Sequence, residues 1–299
     1  MTTFTAGARQ ELLSSRRERM PQVLLAVFVG MVTASSVIGW LTNQVVTSVY
    51  DRTFAAGLTT QPNPFSAVSP LYYAKNTVIY IILIGALLAI VLGVQSTIRD
   101  RKAHTFDLVL SRPVRPASYL GAKLAGLLCW VAGILALSAL ISWTSISAIV
   151  GSVLSPGDTA RLLGFYALAW LFLLPFIILG MLTGVYSRRE TTALLVPIVI
   201  WSVVTFVVPQ LGTAAHPVSL LNPVPAIASQ GGVFQLANLV LGPLSLTEHF
   251  KQASAFVLGD TATTGSPLLS LVVMVAFAGC MLVVLLTTQR DRMRSPLDE

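Results

Sequence analysis

The sequence is poor in charged residues and in cysteine. Of its 299 residues, only 10% are charged and 55% are hydrophobic, whereas a soluble globular domain carries about 25% charged residues. The two cysteines, Cys129 and Cys280, both lie inside long apolar stretches, which argues against a structural disulfide or a cysteine zinc site. The composition therefore indicates a membrane protein.

The sequence also lacks the motifs of several enzyme classes. It has no Gly-x4-Gly-Lys-Ser/Thr phosphate loop, no His-Glu-x-x-His zinc motif and no Gly-x-Ser-x-Gly nucleophile elbow. The histidines His104, His216 and His249 lie in connections that we place on opposite sides of the membrane, so they do not form one metal site. We therefore expect no catalytic residue, no metal and no cofactor in this chain, and we interpret it as not being an enzyme.

Six apolar stretches have the length of membrane-spanning helices and carry no charged residue at mid-depth. About 20 apolar residues of helix cross a hydrocarbon core of roughly 30 Å. A helix satisfies its own backbone hydrogen bonds in lipid, and the runs do not alternate as the strands of a membrane barrel do. We predict an all-α polytopic membrane protein with six spans: Val23–Val45, Thr77–Ile98, Tyr119–Ile141, Gly164–Tyr186, Thr192–Leu211 and Pro267–Thr288.

The basic residues are concentrated in alternate connections between these spans. With both termini in the cytoplasm, 15 Lys and Arg residues fall on the cytoplasmic side and 4 on the outer side. This asymmetry predicts cytoplasmic N- and C-termini in the plasma (inner) membrane. Attraction to anionic lipid headgroups accounts for the net charge of +7, so we expect membrane lipid and no nucleic acid as a partner.

The charge and apolar patterns divide the chain into three parts. A cytoplasmic lead-in precedes the spans, and we expect an interfacial helix there over Ala8–Met20, ended by Pro21. A short cytoplasmic tail follows the last span. The predicted boundaries are 1–22 for the lead-in, 23–288 for the transmembrane domain and 289–299 for the tail, with outer loops at 46–76 and 213–266 and a cytoplasmic segment at 99–118.

The last outer loop is too long to be without secondary structure, and we predict short helices in it. Ser245 and Glu248 have the spacing of a capping box, and Gly259 is a suitable helix stop. The apolar stretch 226–241 precedes them. We expect it to lie at the outer surface or to form a shallow re-entrant hairpin.

Small residues recur at four-residue spacing within several spans, which lets helix backbones approach closely. Gly93 in the second span, and Gly180 and Gly184 in the fourth, belong to such rows. They predict either a dimer seam or moving interface, or ordinary packing within one bundle.

The connection 99–116 combines many charges, a short amphipathic piece and a turn stiffened by Pro113 and Pro116. A rigid, charged and partly apolar element of this kind fits a groove on a soluble partner. A basic loop bound to lipid headgroups is the other interpretation.

The stretch Ile98–Lys123 resembles the first cytoplasmic segment of ABC-2 type transporter permeases. Asp100 takes the position of the usual acid, while His104 and Arg115-Pro116 depart from the usual pattern. The order of spans and the "LSLTEHF" segment are also similar, and the nearest branch contains gliding-motility permeases and copper-enzyme maturation permeases. The matching residues are Thr105, Leu108, Leu110, Ser111, Pro113, Val114 and Lys123.

The resemblance implies partners and site residues. Such permeases pair as a homodimer or pseudo-dimer and bind two copies of an ABC ATPase subunit. It implies that the second and fifth spans line a conduit, for which the candidates are Tyr80, Gln95, Ser96, Trp201, Ser202 and Thr205. The residues implied in coupling to the ATPase are Asp100, His104, Thr105, Asp107, Leu108, Arg112 and Pro113.

These observations predict the permease subunit of an ATP-driven exporter. The alternative is a non-transporting membrane scaffold or sensor that binds a cytoplasmic partner. An intramembrane enzyme is disfavoured because no acid pair, nucleophile or metal group occurs at one depth, and an ion-coupled carrier is disfavoured because the spans carry no charge at mid-depth.

Overall fold

The computed structural model describes residues 3–15, 19–61, 69–103, 114–213, 221–227, 231–259 and 265–288. These stretches are almost entirely helical, and none of them contains a β-strand. Within these described stretches we number nine of the helical elements in chain order: α1 Thr3–Ser15, α2 Arg19–Ala55, α3 Pro70–Lys102, α4 Pro116–Val150, α5 Pro156–Tyr186, α6 Glu190–Leu211, α7 Gly232–Leu241, α8 Leu246–Val257 and α9 Pro267–Leu286.

Six of the described helices, α2 to α6 and α9, are long and apolar enough to cross a membrane. Five of them contain a predicted span entirely, and α9 ends at Leu286, two residues before the predicted Thr288, so the all-α, six-span prediction is confirmed. Several helices extend well past the apolar runs, and α2 continues ten residues beyond Val45. Ser48 and Thr53 lie in this extension and donate hydrogen bonds to the carbonyls of Val45 and Tyr50, so polar side chains are satisfied there within the helix.

The beginning of the chain differs from the prediction. The first helix covers Thr3–Ser15 rather than Ala8–Met20. Pro21 does not end it, because it lies in the first turn of α2, where a missing backbone N–H costs nothing. The helix α1 packs against the start of α4.

The centre of the bundle is the crossing of α3 and α5, where glycines replace side chains on both helices. A Cβ added to Gly93 would lie 2.9 Å from the backbone nitrogen of Met181, and one added to Gly180 would lie 3.0 Å from that of Val94. The two backbones are therefore nearly in contact. These glycine rows serve packing within one chain, which is the second of the two roles predicted for them.

Short helices are present in the long loop before the last span, as predicted. A left-handed glycine follows α8, since Gly259 has a φ of +79°, as expected for a helix stop. The capping box does not form: the Ser245 side chain makes no capping hydrogen bond, and Glu248 bonds instead to Lys251 and to the backbone N–H of Ala226.

The helix α7 begins at Gly232, after the extended residue Gly231, and it has no buried residue. It packs against the helical stretch Val208–Thr213, which begins within α6 and continues two residues past Leu211.

Candidate functional site at the basic end of the bundle

One end of the bundle carries most of the described basic residues, and we call it the basic end. It contains the end of α3, the start of α4, and the turn between α5 and α6. Of the seven predicted coupling residues, Asp100 alone lies in the part of the chain that the structure describes. The other six lie outside the described residues: His104, Thr105, Asp107, Leu108, Arg112 and Pro113.

Asp100 is buried at the end of α3 and is bonded to the start of α4. Lys123 Nζ lies 2.6 Å from Asp100 Oδ2, and the hydroxyl of Tyr119 donates a hydrogen bond to the same oxygen. Asp100 is 6% exposed and Lys123 is 4% exposed. The carboxylate therefore joins the two helices that flank segment 104–113.

Helix α1 supplies a second buried carboxylate, that of Glu11. Lys123 Nζ lies 2.6 Å from Glu11 Oε2, so this lysine bridges two acids from different parts of the chain. Arg99 Nη2 lies 2.8 Å from both oxygens of Glu11, and the Ser15 hydroxyl donates to Oε1 at 3.4 Å.

We call Glu11, Arg99, Asp100 and Lys123 the ion cluster. It contains two carboxylates and two cations, so its formal charge is zero. Burying an unpaired charge costs several kcal/mol, and pairing with additional hydrogen bonds offsets this cost. The balance explains how three buried ionic side chains and one partly exposed arginine are accommodated at the basic end.

The end of α3 is also attached to α5 and α6. Arg101 is buried and donates hydrogen bonds to the carbonyls of Gly184, at 2.9 Å, and Ser187, at 2.5 Å. Because the last carbonyls of a helix have no partner within it, Arg101 caps the end of α5. Lys102 forms an exposed ion pair with Glu190 at the start of α6, at 2.5 Å.

A shallow, open pocket lies between the end of α3 and the start of α6. Its lining combines apolar and charged side chains, and the charged ones are already engaged in the pairs of Arg99 with Glu11 and of Lys102 with Glu190. The lining residues are Gln95, Ile98, Arg99, Lys102, Ala103 and Glu190.

The predicted conduit residues lie deeper, on α3 and α6 of the same chain. Trp201 is buried and its indole nitrogen donates a hydrogen bond to the carbonyl of Ile82 at 3.1 Å. Ile82 belongs to a π-helical turn of α3, Ile81–Gly85, and α6 has a similar turn at Val203–Val207.

The remaining conduit candidates have different surroundings. Ser96 and Ser202 donate to carbonyls of their own helices, those of Gly93 and Ile198. Thr205 is buried and its hydroxyl has no hydrogen-bond partner among the described residues. Tyr80 and Gln95 are partly buried. The structure thus brings Trp201 against α3 and leaves the six residues distributed along both helices.

The opposite end of the bundle contains a smaller polar group on α8. Lys251 is 2% exposed, and its Nζ lies 2.9 Å from Glu248 Oε1. His249 Nδ1 lies 3.1 Å from the hydroxyl oxygen of Ser270 on α9. Burial lowers the pKa of His249 below its usual 6.5, against the opposing effect of the Gly242 and Pro243 carbonyls and Glu248.

Sequence reasoning missed Glu11 and the pairing of Lys123. The available signal was a lysine four residues inside a predicted span, because a cation within a span needs a buried partner. The identity of that partner required the fold, since Glu11 is 112 positions away. No group of three or more His, Cys, Asp or Glu side chains able to hold a metal occurs among the described residues.

Comparison with known proteins agrees with this architecture. A family model described as ABC-2 family transporter protein matches residues 6–288. A search of the curated proteins finds none that matches the chain. Members of this family are membrane transport components that associate with an ABC ATPase. With six spans and a match over nearly its whole length, the chain is a multi-pass membrane protein that belongs to the ABC-2 transporter family.

Proposed function

We propose that this chain is the permease subunit of an ATP-driven exporter. Two copies of a separate ATPase subunit bind segment 104–113 on the cytoplasmic side, and ATP-driven movement of that segment shifts the spans. The permease works as a homodimer in the plasma membrane, with both termini in the cytoplasm. The chain itself performs no covalent chemistry.

The observation that carries this proposal, beside the family match, is how firmly the end of α3 is attached to the bundle. Arg101 binds the last carbonyls of α5, and α3 crosses α5 at Gly93 and Gly180 with almost no side chains between them. A force applied to segment 104–113 therefore reaches two spans at once. Packed helices transmit such displacements because interiors have few voids to absorb them.

Within this scheme Asp100 positions the segment rather than touching the ATPase. It is buried and already bonded to Lys123 and Tyr119. The residues that contact the ATPase are then those further along the segment, and Asp107 and Arg112 carry its charge. The conduit forms where α3 and α6 of one copy face the other copy.

Co-purification tests the proposal directly. A tagged chain, extracted in mild detergent from the cells that make it, is expected to retain an ABC ATPase subunit in equal number. The complex in lipid nanodiscs is expected to hydrolyse ATP faster than the ATPase subunit alone. A chain that retains a cytoplasmic protein without ATPase activity would instead indicate the scaffold or sensor.

Charge reversal then locates the contact. Asp107→Lys and Arg112→Glu are expected to reduce ATPase stimulation while the protein still inserts in the membrane. Arg188→Glu is the matched control, because Arg188 is exposed at the same end in the turn between α5 and α6. Equal activity of all three variants would contradict the assignment of segment 104–113.

Labelling from one side of the membrane tests the orientation. In a background with Cys129→Ser and Cys280→Ser, a cysteine placed at Ala103 is expected to react with an impermeant maleimide only after the cytoplasmic side is opened. Ser152→Cys, in the exposed turn after α4, is expected to react in intact cells. The reverse result would overturn the topology and the proposed ATPase site with it.

A further inference from the structure

We infer that the ion cluster makes α1 part of the coupling device: Glu11, Arg99, Asp100 and Lys123 are positioning residues that hold α1, the end of α3 and the start of α4 as one body. The transmission of ATP-driven movement to α1 rests on the proposed function, whereas the joining of the three chain segments does not.

The first support is the connectivity of the cluster. Lys123, at the start of α4, binds Asp100 at the end of α3 and Glu11 on α1, each at 2.6 Å. Arg99 ties α1 back to α3 through both oxygens of Glu11. Every pair of the three segments is therefore bridged, and segment 104–113 begins and ends within ten residues of a cluster member.

The second support is the close packing of α1 on α4. A Cβ added to Gly126 would lie 2.5 Å from the carbonyl oxygen of Ala8 and 2.8 Å from Glu11 Cβ. On the other helix, a Cβ at Gly7 would lie 3.2 Å from that of Ala122. Small residues on both helices bring Glu11 to the level of Lys123, which lies inside the span α4.

The third support is an energetic argument about buried ions. Replacing a whole buried ion cluster by apolar residues is often neutral for stability, while removing one member is costly. A cluster of this kind does not need to exist for stability alone. What it provides here is a fixed arrangement of three segments, because the charges balance only when all of them are in place.

Two double variants separate this role from folding stability. Each removes one cation and one carboxylate, so that the net charge of the protein stays the same. Glu11→Gln with Lys123→Met cuts the lysine bridge to α1 and leaves Arg99 and Asp100. Lys102→Met with Glu190→Gln is the matched control, because it removes the exposed ion pair between α3 and α6 and leaves the whole ion cluster in place.

The expected result is a difference in coupling between these matched variants. In nanodisc complexes with the ATPase subunit, the Glu11→Gln/Lys123→Met variant is expected to lose ATPase stimulation by about tenfold, within the usual range of coupling between sites. The Lys102→Met/Glu190→Gln variant is expected to retain most of it, and so is the single variant Lys123→Arg, which keeps a cation between the two carboxylates. Equal stimulation in the two double variants would overturn the role of α1.

A distance measurement tests directly whether α1 and the end of α3 move as one body. Spin labels are attached to cysteines at Gln10 and Ala103, both exposed, in the background without native cysteines. In the wild-type complex the distance between the labels is expected to stay the same without nucleotide and with trapped ATP. In the Glu11→Gln/Lys123→Met variant the distance distribution is expected to broaden, and a wild-type distance that changes with ATP would refute the inference.

The two proposals fail in different ways. If no ATPase subunit binds the wild-type chain, the proposed function is wrong, and the spin-label distances in the isolated chain still decide whether the cluster joins α1 to α3. If the ATPase binds and is stimulated but the isolated-chain distances are equally narrow in wild type and variant, the inference alone is wrong.

Discussion

The two ends of the bundle each bury a lysine beside a carboxylate, but they do so over very different distances along the chain. At the basic end, Lys123 meets Glu11 from 112 positions away and Asp100 from 23. At the opposite end, Lys251 meets Glu248 three positions earlier on the same helix. The first arrangement depends on the docking of three segments, while the second forms on α8 alone.

The two ends also differ in what else holds the docked helix. On the opposite side, Phe250 of α8 stacks on Phe172 of α5, with ring centroids 4.4 Å apart, and such pairs add about 0.5–1.5 kcal/mol to their burial. No aromatic stacking of this kind is present between the described residues of α1 and α4. The comparison indicates that α8 is held mainly by apolar packing, whereas α1 depends on its charges and on close backbone contact.

The largest effect is expected from removing the buried cation at each end. Lys123→Met leaves two buried carboxylates with one partly exposed arginine, and we expect it to cost about 3–5 kcal/mol in the free energy of unfolding. Lys251→Met leaves one carboxylate, which still accepts the Ala226 N–H, and we expect about 1–3 kcal/mol. SDS titration in mixed micelles measures both values, and equal costs would remove the distinction between the ends.

Glycine substitution at each end is expected to have a smaller effect. In Gly126→Ala the new Cβ meets the backbone of Ala8, so α1 must shift, at about 1–3 kcal/mol less about 1 kcal/mol gained from helix propensity. In Gly242→Ala it meets only the flexible side chain of Asn238, and we expect a change within about 0.5 kcal/mol. The same titration compares them. A neutral Gly126→Ala variant would show that α1 is loosely docked.

A labelling comparison then tests whether lipid covers α7. Leu239 on α7 and Val153 in the turn before α5 are 77% and 74% exposed at the same end of the bundle. Because α7 packs against the last apolar turns of α6, we expect it to lie in the outer boundary of the bilayer. In the cysteine-free background, Leu239→Cys is expected to react with an aqueous maleimide more slowly than Val153→Cys. Equal rates would place α7 in water.

The smallest expected effect is a pH dependence confined to the opposite end. The pKa of His249 is lowered in the folded protein, so the unfolded chain binds a proton more readily. The contribution of this residue to stability is therefore complete above pH 6.5 and decreases as the pH falls below that value. The difference in melting temperature between wild type and His249→Gln, measured from pH 7.5 to 5.5, is expected to change in this direction. A difference that does not vary with pH would contradict the buried environment of His249.

The spans were predictable because long apolar runs in lipid have few folding alternatives. The ends of the helices were not predictable from the apolar runs. Polar residues such as Ser48 extend α2 beyond its apolar run, because their side chains bond to carbonyls of the same helix. The end of helix α8 was predictable because Gly259 can adopt the left-handed conformation that stops a helix. The capping box did not form because Glu248 bonds instead to Lys251 on its own helix and to the backbone N–H of Ala226, which is distant in the sequence.

The candidate site could be predicted only in part from the sequence. Asp100 and Lys123 were both recognised through their motif positions, but not as partners of each other. Glu11 gave no local signal, because a glutamate in a short polar helix is ordinarily solvated. Its burial follows from Gly7 and Gly126, two small residues whose effect depends on two helices meeting.

The hydrogen bond from Trp201 to the carbonyl of Ile82 has a consequence for the route of any cargo. It lies deep in the apolar part of the bundle, where water is absent to take over from a broken bond, and an unsatisfied group there costs several kcal/mol. A cleft that separated α3 from α6 within one chain would incur that cost on both partners. We therefore expect α3 and α6 of one chain to move together. Cargo is expected to pass along the surface that they form, and not between them.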